Sequence, residues 1–144
     1  MDGSKVYVDS SVVVRRILRQ PGAIAHPGNW EVAVTSELTE LEAGRALDRV
    51  RLSGAASAAE IAGCVEDLRV FTDGCEVVPL QTKILRRAAR PLPTWLGSLD
   101  AIHLATALLR MEDNDEELTL LTHDQQLAAC ARACGVLTMP QTRR

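Results

Sequence analysis

Aromatic side chains are scarce: one Tyr, one Phe and two Trp make up 3% of the 144-residue chain. That scarcity argues against an extended base-stacking surface. It leaves Ala, Val and Leu to supply most of an apolar fraction of 47%, which favours helices lying closely on a small sheet. No apolar run approaches the ~18 residues that span a bilayer. The amino-terminal stretch MDGSKVYVD has no long apolar segment and no cleavage-like site, so a cytoplasmic protein with no membrane contact is expected. Cys64, Cys75, Cys130 and Cys134 form no C-x-x-C pair, and the distribution offers too few ligands for zinc. Cys130 and Cys134 share a helix face and read as small apolar fillers with reduced thiols. No P-loop or G-x-G-x-x-G fingerprint is present, which argues against nucleotide-cofactor chemistry. A net charge of −3 and a pI near 5.6 give no global field suited to a polyanion.

What is present is alternation. Short apolar runs recur at 5–9 (KVYVD), 31–35 (EVAVT), 75–80 (CEVVPL), 118–122 (LTLLT) and, weakly, 136–139 (VLTM). Helical patterns lie between them at about 10–19, 36–53, 57–72, 81–90, 98–112 and 124–133. Strands alternating with helices predict parallel βαβ units, hence an α/β three-layer sandwich around a central parallel sheet of four to five strands. The length suits one domain over residues 1–144. Gly54, Gly74, Gly97 and Gly135 mark the joins. Residues 20–30, QPGAIAHPGNW, read as the one Pro/Gly-rich loop, and EDNDEE at 112–117 as an exposed connector.

In such a sheet, ligands bind beyond the carboxyl ends of the strands. Four acids fall there. Asp9 ends the first strand; it could equally cap the helix that follows, a role worth about 1 kcal/mol. Glu42 lies beside Ala46, off the polar stripe of its helix; the alternative is an i,i+3 pair with Arg45. Asp100, in GSLDAIHLATALL, opens a nearly all-apolar helix. Desolvating it without a partner costs more than the ~0.3–1 kcal/mol it gains from the helix dipole. Asp124 follows the fourth strand and could cap the next helix; Thr122 adds an oxygen at the same strand end. Like charges gathered at one edge raise one another's pKa values. A divalent cation makes the cluster tolerable, and all-oxygen donors suit Mg²⁺ or Mn²⁺. His103 reads as a helix neighbour or hydrogen-bond partner rather than a ligand.

The segments YVDSS with Asp9, SELTELEAGRAL with Glu42, SLDAIHLATAL with Asp100, LTHDQQL with Asp124 and the following AACARACGV occur in this order. Together they resemble the PIN-domain family and, within it, VapC-type toxins of bacterial type II toxin–antitoxin pairs. The downstream AGRAL favours Glu42 over Glu37 and Glu40 as the second acid. The resemblance spans residues 6 to about 139. It implies a PIN-like fold, a Mg²⁺- or Mn²⁺-dependent endoribonuclease acting on single-stranded or structured RNA such as tRNA or rRNA, a cognate VapB-like antitoxin that blocks the site, and a homodimer. On this resemblance Asp9, Glu42, Asp100 and Asp124 are the catalytic acids. Asp9 and Asp100 would hold the metal with Asp124 assisting, and Glu42 would hold a metal-bound water or a second ion. Ser11 and Thr122 would hydrogen-bond to those carboxylates.

Arg15 and Arg16, on the helix after Asp9, and Arg45, on the helix of Glu42, could contact an RNA backbone; the plain alternative is solvated helix faces. Trp95, just before the Asp100 helix, is a possible stacking residue, against a core or dimer contact. A catalytically silent PIN-like module that only binds RNA or protein is the competing reading. A receiver domain or a haloacid-dehalogenase-like phosphatase fits poorly, because Asp9 has no neighbouring acid and is followed by Ser10 and Ser11.

Overall fold

A computed structural model describes residues 4–24 and 30–140. Along the chain it runs β1 (Lys5–Val8), α1 (Ser10–Ile17), β2 (Val32–Ser36), α2 (Leu38–Ser53), α3 (Ala58–Asp73), β3 (Glu76–Val78), α4 (Thr82–Ala88), α5 (Ser98–Asn114), β4 (Thr119–Leu121), α6 (Gln125–Ala133) and β5 (Leu137–Met139). All eleven elements match the alternation expected from the apolar pattern. The strands form one five-stranded sheet in the order β3-β2-β1-β4-β5, and every pairing is parallel.

This order fixes where a ligand can sit. From β1 the chain builds outward through β2 and β3, then returns to lay β4 against the other side of β1. The strand order therefore reverses between β1 and β4, the crevice that open α/β sheets use for binding. In register, Val8 lies opposite Leu121, so Asp9 and Thr122 emerge side by side.

The period-2 alternation of the strands divides the core into two layers. Tyr7, Val34 and Leu120 face one side, where they pack with Leu104 and Ala107 of α5 and Leu127 and Ala131 of α6. Val6, Val8 and Leu121 face the other, against Val12, Val13 and Ile17 of α1, Ala43 and Leu47 of α2 and Leu68 of α3. Burial of each large aliphatic chain is worth roughly 1.5–3 kcal/mol. Few aromatics are needed because the helices lie close to the sheet.

Local signals set the element ends. Ser57 and Glu60 form a reciprocal capping box at the start of α3. Gly54 and Gly135 adopt φ +75° and +83°, a conformation that favours glycine. The acidic 112–117 stretch is only partly a connector. Helix α5 continues to Asn114, and Asp115 turns it off at φ 49°. Glu116 then accepts from Lys5 Nζ at 2.8 Å and Arg110 Nε at 2.8 Å, and these two cations hold its carboxyl down at about 2. Of the loop expected over 20–30, residues 25–29 lie outside the described residues. All four cysteines are free thiols. Among the described residues no helix is long and apolar enough to cross a membrane.

Candidate active site

Asp9 leaves the sheet at the end of β1, where its backbone N–H donates to Leu121 O at 3.0 Å. The side chain is buried, with 2% exposure. It caps the helix that follows and stands at the sheet's carboxyl edge. Its Oδ2 accepts from the Ser11 backbone N–H at 3.4 Å, capping α1, from Ser11 Oγ at 2.6 Å and from Thr122 Oγ1 at 2.9 Å. Oδ1 keeps only long contacts, to Ser10 Oγ and His103 Nε2, each at 3.5 Å. The hydroxyls also tie the two strand ends together. The His123 N–H donates to Ser11 Oγ at 3.0 Å, and the Asp124 N–H donates to Thr122 Oγ1 at 3.0 Å.

Asp124 caps α6, accepting from the Leu127 N–H at 3.0 Å through Oδ1. Asp100 stands half-buried in the first turn of α5. Burial, then the neighbouring Asp124 and Asp9 carboxylates, push its carboxyl up from 3.8 to about 7. That response marks the three aspartates as one electrostatic neighbourhood. It is the consequence of gathering like charges out of water.

Glu42 is half-buried on α2 and takes neither of its alternatives in simple form. Arg45 pairs instead with Asp48, which also binds Arg51, so the i,i+3 pair with Arg45 does not form. Glu42 Oε1 instead accepts from His103 Nε2 at 2.6 Å. Of the two competing acids, Glu37 is bound to the Leu80 N–H at 2.7 Å, and Glu40 is exposed.

His103 is wholly buried on α5 and joins three elements. Its Nδ1 is hydrogen-bonded to Tyr7 Oη at 2.7 Å, while Nε2 faces Glu42 and, at 3.5 Å, Asp9. Burial pulls the imidazole pKa down, but the bond to Glu42 and the charges of Asp9, Glu42 and Asp100 outweigh it and leave it raised. Burial drives the Tyr7 phenol well above its ordinary value, helped by Asp9. Sequence reasoning reached His103 as a hydrogen-bond partner but missed Tyr7, 96 residues away. The available signal was a lone imidazole on an apolar helix, which needs partners when buried.

Among the described residues, no Lys or Arg forms an ion pair with Asp9, Glu42, Asp100 or Asp124. Nor do three His, Cys, Asp or Glu side chains there close into a ready-made metal cage. The donor set nonetheless fits a hard dication. Mg²⁺ keeps several waters and is commonly held by one or two carboxylates. Asp9 Oδ1 lacks a short hydrogen bond, and Asp100 holds excess negative potential. Arg15 reaches the rim, with Nη1 3.4 Å from His123 Nδ1. Arg16 is exposed on α1, and Arg45 is exposed on α2 and engaged with Asp48. Trp95 is 77% exposed and is no part of the core.

Comparison with known proteins supplies context for this geometry. A family model described as the PIN domain matches residues 6–133. Ribonuclease VapC47 of Mycobacterium tuberculosis (strain CDC 1551 / Oshkosh) is 29% identical over 140 residues, covering 92% of this chain and 94% of that protein. Among solved structures, a toxin-antitoxin complex from Klebsiella pneumoniae is similar with a TM-score of 0.64 at 18% identity, over 95% of this chain and 99% of that one. VapBC-5 of Mycobacterium tuberculosis, a member of the VapBC family of toxin-antitoxin systems, is similar with a TM-score of 0.58 at 21% identity, over 96% and 99%. These two share the fold.

Proposed function

The chain belongs to the PIN domain family, and from that premise we propose that it is the toxin of a type II toxin–antitoxin pair, a Mg²⁺- or Mn²⁺-dependent endoribonuclease. On this reading residues 1–144 act as one nuclease domain in the cytoplasm. The substrate is single-stranded or structured RNA, tRNA or rRNA included; a VapB-like antitoxin restrains the activity, and the toxin works as a homodimer. The relatives support the class: one is named a ribonuclease and two are toxin–antitoxin assemblies.

One observation carries the proposal. Asp9, Asp100 and Asp124 share the crevice between β1 and β4 without a Lys or Arg partner among the described residues, and burial, followed by the Asp124 and Asp9 charges, lifts Asp100 to about 7. A structural ion cluster would have been neutralised by the chain itself. Here the chain answers Glu42 and, at 3.5 Å, Asp9 with His103, and Asp100 with Asp124 is left to a cation from outside.

Asp9 and Asp100, with Asp124 assisting, would hold the ion, which supplies a water activated at neutral pH and screening of the phosphate charge. The chain's own groups do the remaining work. Ser11 and Thr122 fix the orientation of Asp9 by donating to Oδ2, so Oδ1 keeps its lone pairs available. His103 holds Glu42 through Oε1, leaving Oε2 to orient a water. Tyr7 fixes the His103 ring from behind. Arg15, at the rim, would take a phosphate oxygen; Arg16 and Arg45 would add backbone contacts.

The test is cleavage of RNA by the purified chain with Mn²⁺ or Mg²⁺, with EDTA, and after Asp9→Asn or Asp100→Asn. Cleavage that needs the metal and disappears in both variants is expected. Cleavage indifferent to EDTA and to both substitutions, or no cleavage by the wild type with metal, would overturn the reading; the second result would favour a silent binding module.

A further inference from the structure

The 89–97 segment turns an indole outward. Leu92 and Leu96 pack against the core formed with α5 and α6, and the Thr94 carbonyl accepts a bond from Cys130 Sγ at 3.7 Å. Anchored on both sides, Trp95 is nevertheless 77% exposed. A ring of that size gains most from burial, so an exposed one on an anchored segment marks a surface that awaits a flat partner.

Its position is equally informative. The ring reaches the start of α5: a Cβ built on Gly97 would lie 3.9 Å from Trp95 Cη2. Trp95 lines an open cleft of about 360 Å³ together with Arg90, Leu92, Pro93, Leu96 and Ala101. Ala101 adjoins Asp100, so the cleft runs up to the helical turn that carries an acid of the candidate site. In the other direction Arg90 also borders a second groove with Lys83, Arg86 and Arg87. Lys83 pairs with Asp113 and Arg87 with Glu112. Arg86 and Arg90 are exposed and have no ion pair among the described residues.

We propose that Trp95 and Arg90 form a nucleotide subsite, in which the indole stacks an unpaired nucleobase and Arg90, continued by Arg86, takes the phosphates that lead away from the acids. Single-stranded RNA alternates aromatic faces with negative charge, and this surface alternates in the matching sense. The unpaired guanidinium groups favour a polyanion over the apolar face of a second protein. The inference takes the identity of the polymer from the ribonuclease reading and adds a residue that grips it.

A fluorescently labelled short single-stranded RNA, titrated with the full chain in EDTA, measures binding without cleavage. Trp95→Ala is expected to weaken binding roughly tenfold or more, the scale of one lost stacking contact. Trp95→Phe should recover most of it, and RNA should quench indole fluorescence in the wild type but far less in Trp95→Ala. Arg90→Ala should weaken binding and flatten its salt dependence. Unchanged affinity in Trp95→Ala, or absence of binding by the wild type, overturns the proposal. Unchanged affinity together with loss of a dimer in sedimentation would assign the ring to contact between copies. Trp95-dependent binding by a chain that never cleaves RNA would sink the nuclease reading while leaving this subsite standing.

Discussion

At the residue scale, the candidate site rests on carboxylates, two of which, Asp9 and Asp124, also cap helices. Asp9 caps α1 through one oxygen while the other keeps only long contacts. Asparagine caps a helix about as well as aspartate. Asp9→Asn should therefore keep the fold, with a circular dichroism spectrum like that of the wild type, and still lower metal-dependent cleavage at least about a hundredfold, the scale of losing a principal electrostatic element. The Asp100 carboxyl, raised from 3.8 to about 7, binds its proton more tightly folded than unfolded. The folded state is thus favoured at low pH, and the metal-free wild type should lose stability relative to Asp100→Asn as pH rises from about 4 to about 7, levelling off above. Urea midpoints of the two proteins across that range check the sign. Tyr7→Phe removes a buried partner from His103 Nδ1 and should cost about 1–3 kcal/mol in the same assay; an unchanged midpoint would mean that His103 does not depend on Tyr7.

At the element scale, β1 and α5 carry the design. β1 is the central strand, buried on both faces, and ends at Asp9. α5 brings Asp100 and His103 to the same crevice while Leu104 and Ala107 fill the core. Leu104→Ala should cost roughly 2–5 kcal/mol of folding stability, measured by chemical denaturation. These elements could be read from the chain because each apolar run is short, β-rich and bounded by turn or cap residues. Boundaries were less legible where charge misled. The 112–117 acids read as solvent-exposed chain, yet α5 extends into them, and Glu116 finds Lys5 and Arg110. Long-range pairings had at most a one-sided signature: a lone imidazole on an apolar helix needs partners without saying which. Nothing around Tyr7 announces His103, and Glu42 has Arg45 within reach along its own helix, although Arg45 turns to Asp48. The positions of Asp9 and Asp124 at the carboxyl edge of the sheet were legible because strand ends place them, whereas Asp100 and Glu42 had to be placed from the faces of α5 and α2.

At the scale of the whole molecule, a net charge of −3 conceals segregation. Acids concentrate between β1 and β4, while α4 and the residues after it present Arg86 and Arg90 beside Lys83 and Arg87, which are paired with Asp113 and Glu112. A polyanion would be drawn to the second region and repelled from the first unless a dication were present. RNA affinity should therefore fall steeply with added salt, and divalent cations should matter more to cleavage than to capture. The most direct test is calorimetric titration of Mn²⁺ into the wild-type protein, Asp9→Asn and Asp100→Asn at pH 8. The expected result is saturable binding by the wild type, lost or strongly weakened in each variant, with all three proteins folded. Equal binding in all three, or none in the wild type, would contradict the idea that these separated aspartates meet to hold a metal ion.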